Sequence, residues 1–175
     1  MSAVAPSRVA FPASDVDALS DNERLLIRSF RHWIIGFLSR DSQQMSLARQ
    51  SYLPRLGEAS SRAARDAMQM LVRSLAGAAS RRISYAPPSC AVLSDDEQRL
   101  LRLVSACQEG NGNKAEATIV ELTGSGPAAP VLAAASCLAA VLHDNDMLLP
   151  RYPDTGTGYC PPSDEYVFAA RATLH

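Results

Sequence analysis

The chain has 175 residues, 47% of them hydrophobic and only 6% aromatic, with a formal net charge of −1. That length suits one domain or two small subdomains, and the near-neutral total gives no reason to expect a polyanionic partner from global charge. No run of eighteen apolar residues occurs, which excludes a single apolar membrane-spanning stretch. The first eighteen residues hold Asp15 and Asp17 and no apolar block, so no secretory signal is expected and cytoplasm is the expected compartment.

Residues 1–19 read as a flexible arm, interrupted by Pro6 and Pro12 and without helical period. A first helix follows Ser20. Ser20-Asp-Asn-Glu23 is a capping box, in which the serine side chain takes an orphan helix amide and the glutamate reaches back to the cap amide. Leu26, Phe30, Trp33 and Phe37 recur at helical spacing, widened by Ile27, Ile34 and Leu38, and the opposite face carries Arg24, Arg28 and Arg31. Such aromatic spacing is read as core rather than as a partner groove. A second helix is expected from about Ser42 to Leu53, with Met45, Ala48 and Tyr52 on one side, broken by Pro54 and Gly57. A third starts near Ser60 or Ser61 and carries Ala64, Ala67 or Met68, Leu71, Leu75 and Ala78. Arg81 and Arg82 follow its end, where cations complement the helix dipole.

Residues 83–93 are extended, because Pro87-Pro88 excludes helix there. Ser94-Asp-Asp-Glu97 then repeats the capping box ahead of Leu100, Leu101, Val104 and Cys107. Gly110 and Gly112 end that fourth helix. Asn113 with Glu116 is expected to cap a fifth through Ala115, Ile119 and Leu122, and a sixth covers about Pro130 to His143. From Met147 the prolines and glycines make an irregular tail, with a short last helix expected after Ser163-Asp-Glu165. Leu19-Ser-Asp-Asn-Glu echoes Leu93-Ser-Asp-Asp-Glu, which reads as two independent capping boxes rather than a duplication.

Charge is uneven along the chain. Residues 24–82 carry eleven arginines against Asp41, Glu58 and Asp66, a net +8, whereas residues 89–175 hold five basic and eleven acidic side chains, a net −6. A bipolar fold whose halves attract each other accounts for this, and so would an interaction surface.

Three patterns bear on chemistry. Gly124-Ser-Gly126-Pro-Ala-Ala129 after Ala117–Leu122 resembles the G-x-G-x-x-A turn of dinucleotide-binding and methyltransferase folds, which would place helix-start amides against an anion. Asn113-x-x-Glu116 argues that the preceding segment is helix, and no other strand exists to pair with it. Cys90, Cys107, Cys137 and Cys160 lie 17, 30 and 23 residues apart, and His32, His143 and His175 fall in no ligand spacing, so neither metal nor cofactor is expected and all four thiols read as reduced. Cys107 and Cys137, inside helical patterns, should be small buried apolar residues. Residues 56–71, Leu-Gly-Glu-Ala-Ser-Ser-Arg-Ala-Ala-Arg-Asp-Ala-Met-Gln-Met-Leu, resemble the turn and recognition helix of bacterial winged-helix repressors. The turn is one or two residues longer than in that family, and Ser84-Tyr-Ala-Pro-Pro-Ser stands where a hydrophobic hairpin wing belongs.

The expected architecture is all-α. It comprises about six helices in two three-helix halves (20–82 and 94–146), joined by extended 83–93 and flanked by the arm 1–19 and the tail 147–175. The expected function is a non-enzymatic regulatory or adaptor module working through protein contacts, with another protein or a second copy as partner and no membrane. The alternative is a small DNA-binding regulator, for which Arg24, Arg28, Arg31, Arg62 and Arg65 are the candidate contacts to nucleic acid or an acidic partner.

Overall fold

The computed structural model describes residues 16–153. They form six α-helices and no strand: α1 Asp21–Ser39, α2 Ser42–Gln50, α3 Leu53–Ala78, α4 Asp95–Gln108, α5 Gly112–Thr123 and α6 Ala128–His143. The short last helix expected after Ser163 lies outside the described residues, as does Cys160.

Both capping boxes form. The Ser20 hydroxyl accepts from the Glu23 amide at 3.3 Å while Glu23 Oε2 accepts from the Ser20 amide at 2.8 Å. Ser94 and Glu97 repeat the exchange at 3.2 and 2.9 Å. Each box satisfies two backbone donors that a helix start leaves without partners. α1 then buries Leu26, Ile27, Phe30 and Trp33, each at 1% exposure. It ends at Arg40, whose φ of 51° reverses the chain. Asp41 caps α2 by accepting from the Gln43 and Gln44 amides. The reversal brings α2 so close that a Cβ on Gly36 would lie 2.6 Å from Met45 Cγ, so only glycine lets the two helices meet there.

Two boundaries differ from expectation. Pro54 does not end α2. It sits in the first turn of α3, where its missing amide hydrogen costs nothing. The break comes at Gly57 alone, with φ 69° and ψ −179°, and the helix resumes at once, so neither Ser60 nor Ser61 begins it. α5 is capped by Asn111, which accepts from the Lys114 amide at 3.1 Å, two residues ahead of the expected cap at Asn113.

α1 packs mainly on α2, and α4 mainly on α5. The most extensive helix contact in the molecule joins the third helix of each half, α3 to α6. Alanine makes that approach close: Ala64, Ala67 and Ala78 of α3 and Ala134, Ala135 and Ala139 of α6 are all buried. Among the described residues no single helix is long and apolar enough to cross a membrane.

The inner ends of the arm and of the irregular tail pack on the helices. Val16–Ala18 make a 3-10 turn, Leu19 is buried, and the Val16 amide donates to Ala91 O at 2.7 Å. Residues 147–153 form an irregular strap with Met147, Leu149 and Tyr152 buried. Gln108 holds the strap by donating to Met147 O and accepting from the Leu149 amide, both at 2.9 Å. Ser105 Oγ donates to Pro150 O at 2.8 Å.

Candidate functional site

Arg31 is not a surface cation. It is 1% exposed, and its guanidinium lies inside the junction between the halves. Its Nε donates to Glu97 Oε1 at 2.7 Å and its Nη2 to Glu97 Oε2 at 2.9 Å, a bidentate pair. Nη1 donates to Pro87 O at 3.1 Å and Cys90 O at 2.6 Å, and Nη2 also reaches Val92 O at 2.8 Å. All five N–H groups of the fork are thereby used. Glu97 is likewise full, since it also accepts from the Ala86 amide at 3.1 Å and the Ser94 amide. One ion pair thus folds the extended 83–93 segment over α1 and ties it to the start of α4.

Two neighbouring arrangements repeat the theme. Asp96, 1% exposed, accepts from both Arg81 terminal nitrogens, from Arg99 Nη1 at 2.8 Å and from the Ser84 amide at 2.8 Å. Burial alone would raise its pKa, but the bonds from Arg81 and Ser84 and the nearby Arg99 charge outweigh burial and hold it below the usual carboxylate range. Arg81 therefore does not cap α3; its Nε donates instead to Glu121 O near the end of α5. In the other half, buried Glu23 accepts from the Tyr152 hydroxyl. Burial first, and the Glu23 carboxylate second, push the Tyr152 hydroxyl far above its ordinary pKa, so it stays a donor. Each capping-box glutamate thus serves as a long-range acceptor as well as a cap. Arg31 and Arg81 of the basic half meet Glu97 and Asp96 of the acidic half, so part of the +8/−6 asymmetry is consumed inside the fold.

The remaining candidate contacts are scattered. Arg24 is half-buried and its Nη2 donates to Leu19 O at 3.0 Å. Arg28 is exposed. Arg62 lies 3.8 Å from Glu58 one turn earlier, and Arg65 bonds Asp66 at 2.9 Å. Exposed ion pairs of this kind are worth little in stability, yet they place a carboxylate beside each cation that a phosphate would approach.

The Gly124–Gly126 loop has a packing role. Residues 117–122 are helix, not strand. The Ser80 amide donates to Thr123 O at 2.7 Å, and the Ser125 amide donates back to Ser80 Oγ at 3.0 Å. A Cβ on Gly126 would fall 1.7 Å from Ala78 O. The two glycines let the α5–α6 turn close over the C-terminal end of α3, leaving no cradle for a pyrophosphate there. Among the described residues no three His, Cys, Asp or Glu side chains cluster for a metal ion. Cys90 and Cys107 are half-buried free thiols, and burial raises the Cys107 pKa. Cys137 is exposed rather than buried as expected.

One concave surface is almost wholly apolar. Phe30, Ile34, Phe37 and Leu38 of α1, Val72, Leu75 and Ala76 of α3, and Ile83 and Tyr85 line a shallow open groove of about 40 Å³. Its floor is core, since Phe30 and Leu75 are buried, while Ile34, Phe37 and Leu38 are half-buried and Ala76 is exposed. Tyr85 is the one lining residue with a polar tip, and burial raises its pKa and keeps it neutral. The stripe Phe30–Phe37, read from sequence as core, is therefore core on one side and groove wall on the other. The Arg31–Glu97 pair anchors the segment that carries Tyr85, so the groove rests on the junction between the halves. No protein-family model, curated protein or solved structure matches the chain. The reading of its function therefore rests on the groove and the charges beside it.

Proposed function

We propose that the protein is a non-enzymatic interaction module, regulatory or adaptor in role and cytoplasmic, whose contact face is the groove between α1, α3 and residues 83–85. The apolar lining carries this reading. None of the nine lining residues is charged, and Ile34, Phe37, Leu38, Ala76 and Tyr85 keep part of their surface open to solvent above a floor of Phe30, Val72, Leu75 and Ile83. Apolar concavities of this kind seat amphipathic helices, whose anchors recur at i, i+3, i+4 and i+7. The exposed charged residues adjoining lining residues in the chain are Arg73, beside Val72, and Arg82, beside Ile83. An occupant with apolar anchors and flanking carboxylates fits both features. DNA is the weaker reading: Arg31 is buried, and Arg62 and Arg65 have acidic neighbours within 4 Å.

Peptide display tests the reading. The full chain should select helical peptides with one apolar face and acidic flanks. The same chain with Ala76→Arg, a change at an exposed position, should select none of them. Equal selection by both chains, or none by either, would refute the groove as the contact face.

A further inference from the structure

We infer that the groove has a resident competitor in the chain itself, the segment 163–174, which occupies it in cis until a partner displaces it. The inference rests on the groove reading above and adds how that site is regulated.

Sequence pattern, length, reach and charge meet on this segment. Ser163-Asp-Glu165 is followed by Tyr166, Val167, Ala170 and Leu174, whose spacing of one, three and four places them on one face of a helix. The span from Tyr166 to Leu174 covers about 12 Å at helical rise, the same length as Phe30 to Leu38 along the groove wall. The described chain ends at Pro153, just after Tyr152 is fixed to Glu23 in the first turn of α1. From Glu23 to Ile34 is about 16 Å along that helix, and the residues between 153 and 166 extend to roughly 40 Å, so the linker reaches with slack. Residues 154–175 hold Asp154, Asp164 and Glu165 against Arg171, a net charge opposite to that of exposed Arg73 and Arg82, the chain neighbours of lining residues Val72 and Ile83. Residues 1–15, which lead into the Val16–Ala91 bond, are the weaker candidate, because Arg8 and Asp15 leave them without net charge and no helical stripe runs through their sequence.

A segment tethered by a short linker acts at an effective concentration of about 1 mM. If its intrinsic affinity is on the order of 100 µM, the groove is about nine-tenths occupied in cis, and a competitor binds roughly tenfold more weakly than it would to an open groove.

The experiment compares the full chain with the full chain carrying Tyr166→Asp and Val167→Asp, both beyond the described residues. The probe is a fluorescein-labelled synthetic peptide of residues 158–175. The substituted chain should bind it roughly tenfold more tightly than the unchanged chain, and the Ile34 and Ile83 methyl resonances should differ between the two chains without added peptide. Equal affinity with unchanged methyl resonances would overturn the cis inference while leaving the groove reading intact, provided displayed peptides still bind. Methyl resonances that move with protein concentration would overturn it in favour of a second copy's segment. Failure of the substituted chain to bind either the 158–175 peptide or any displayed peptide would overturn the groove reading itself.

Discussion

Replacing Glu97 by glutamine isolates the contribution of the central ion pair, because the side chain keeps its shape and loses only its charge and one acceptor. Glu97 receives four N–H donors: Arg31 Nε and the Ala86 amide on one oxygen, Arg31 Nη2 and the Ser94 amide on the other. Glutamine offers one oxygen and an NH2 group, so one pair of donors must face another donor. The Arg31 charge would then lie at 1% exposure with only neutral partners, the remaining amide oxygen and the carbonyls of Pro87, Cys90 and Val92. Breaking a buried pair by neutralising one member costs about 3–5 kcal/mol, a large part of the roughly 5–15 kcal/mol that holds a domain folded. By contrast Ser94→Ala, which removes the cap and the 2.8 Å bond from Ser94 Oγ to Ser84 O, should cost about 1–2 kcal/mol. Urea unfolding followed through Trp33, the chain's single tryptophan and 1% exposed, measures both. Native-state hydrogen exchange should show the Ala86 amide losing protection in the Glu97→Gln chain. A stability loss for Glu97→Gln no larger than that for Ser94→Ala would refute the reasoning, since the pair would then contribute no more than the cap.

Two further perturbations probe other parts of the fold. Gly126→Ala should destabilise by about 1–3 kcal/mol through overpacking against the Ala78 carbonyl, and a thermal melt unchanged by it would show that the α5–α6 turn does not press on α3. Asp96 has a folded-state pKa below its unfolded value, so its stabilisation is present at neutral pH and disappears as pH falls through the acid range to its folded pKa. Asp96→Asn should therefore cost about 1.5–3 kcal/mol at pH 7 from the lost charged hydrogen bonds and flatten the acid limb of the stability profile, whereas parallel profiles for the two chains would show that Asp96 is not held ionised by Arg81, Ser84 and Arg99.

The parts of this fold that were legible in the sequence are those decided within four residues. Both capping boxes, the apolar stripes and the stop at Gly110 are local, and the all-α architecture follows from them. Arg31 was misread because helical periodicity shows which face of α1 is apolar, not whether a second element covers the other face. Here the 83–93 segment does so, and its anchor Glu97 is 66 residues from Arg31. The signal was present in a weak form: the basic half and the acidic half each hold more charge than a small surface needs, and the bipolar reading anticipated their attraction. The start of α3 lies seven or eight residues before the expected serines because Pro54 is accepted in its first turn, and the cap of α5 lies two residues early at Asn111; composition reveals neither position. The groove was hidden for another reason. Ile34 and Phe37 share the periodicity of Phe30 and Trp33, and only the end of α3 and the path of Ile83 and Tyr85 decide which of them remain at the surface.

The central claim is that the apolar groove, rather than the arginine-bearing start of α3, is the contact face. Methyl-resolved NMR of the full chain tests it directly, with a displayed peptide added in one titration and duplex DNA at physiological salt in another. The account predicts saturable shifts at Ile34, Leu38, Leu75 and Ile83 with the peptide, their loss in the Ala76→Arg chain, and no saturation with DNA. Saturable shifts with DNA at sub-micromolar concentration, centred on Leu56 and the methyl groups near Arg62, with the groove methyls unmoved by peptide, would contradict it.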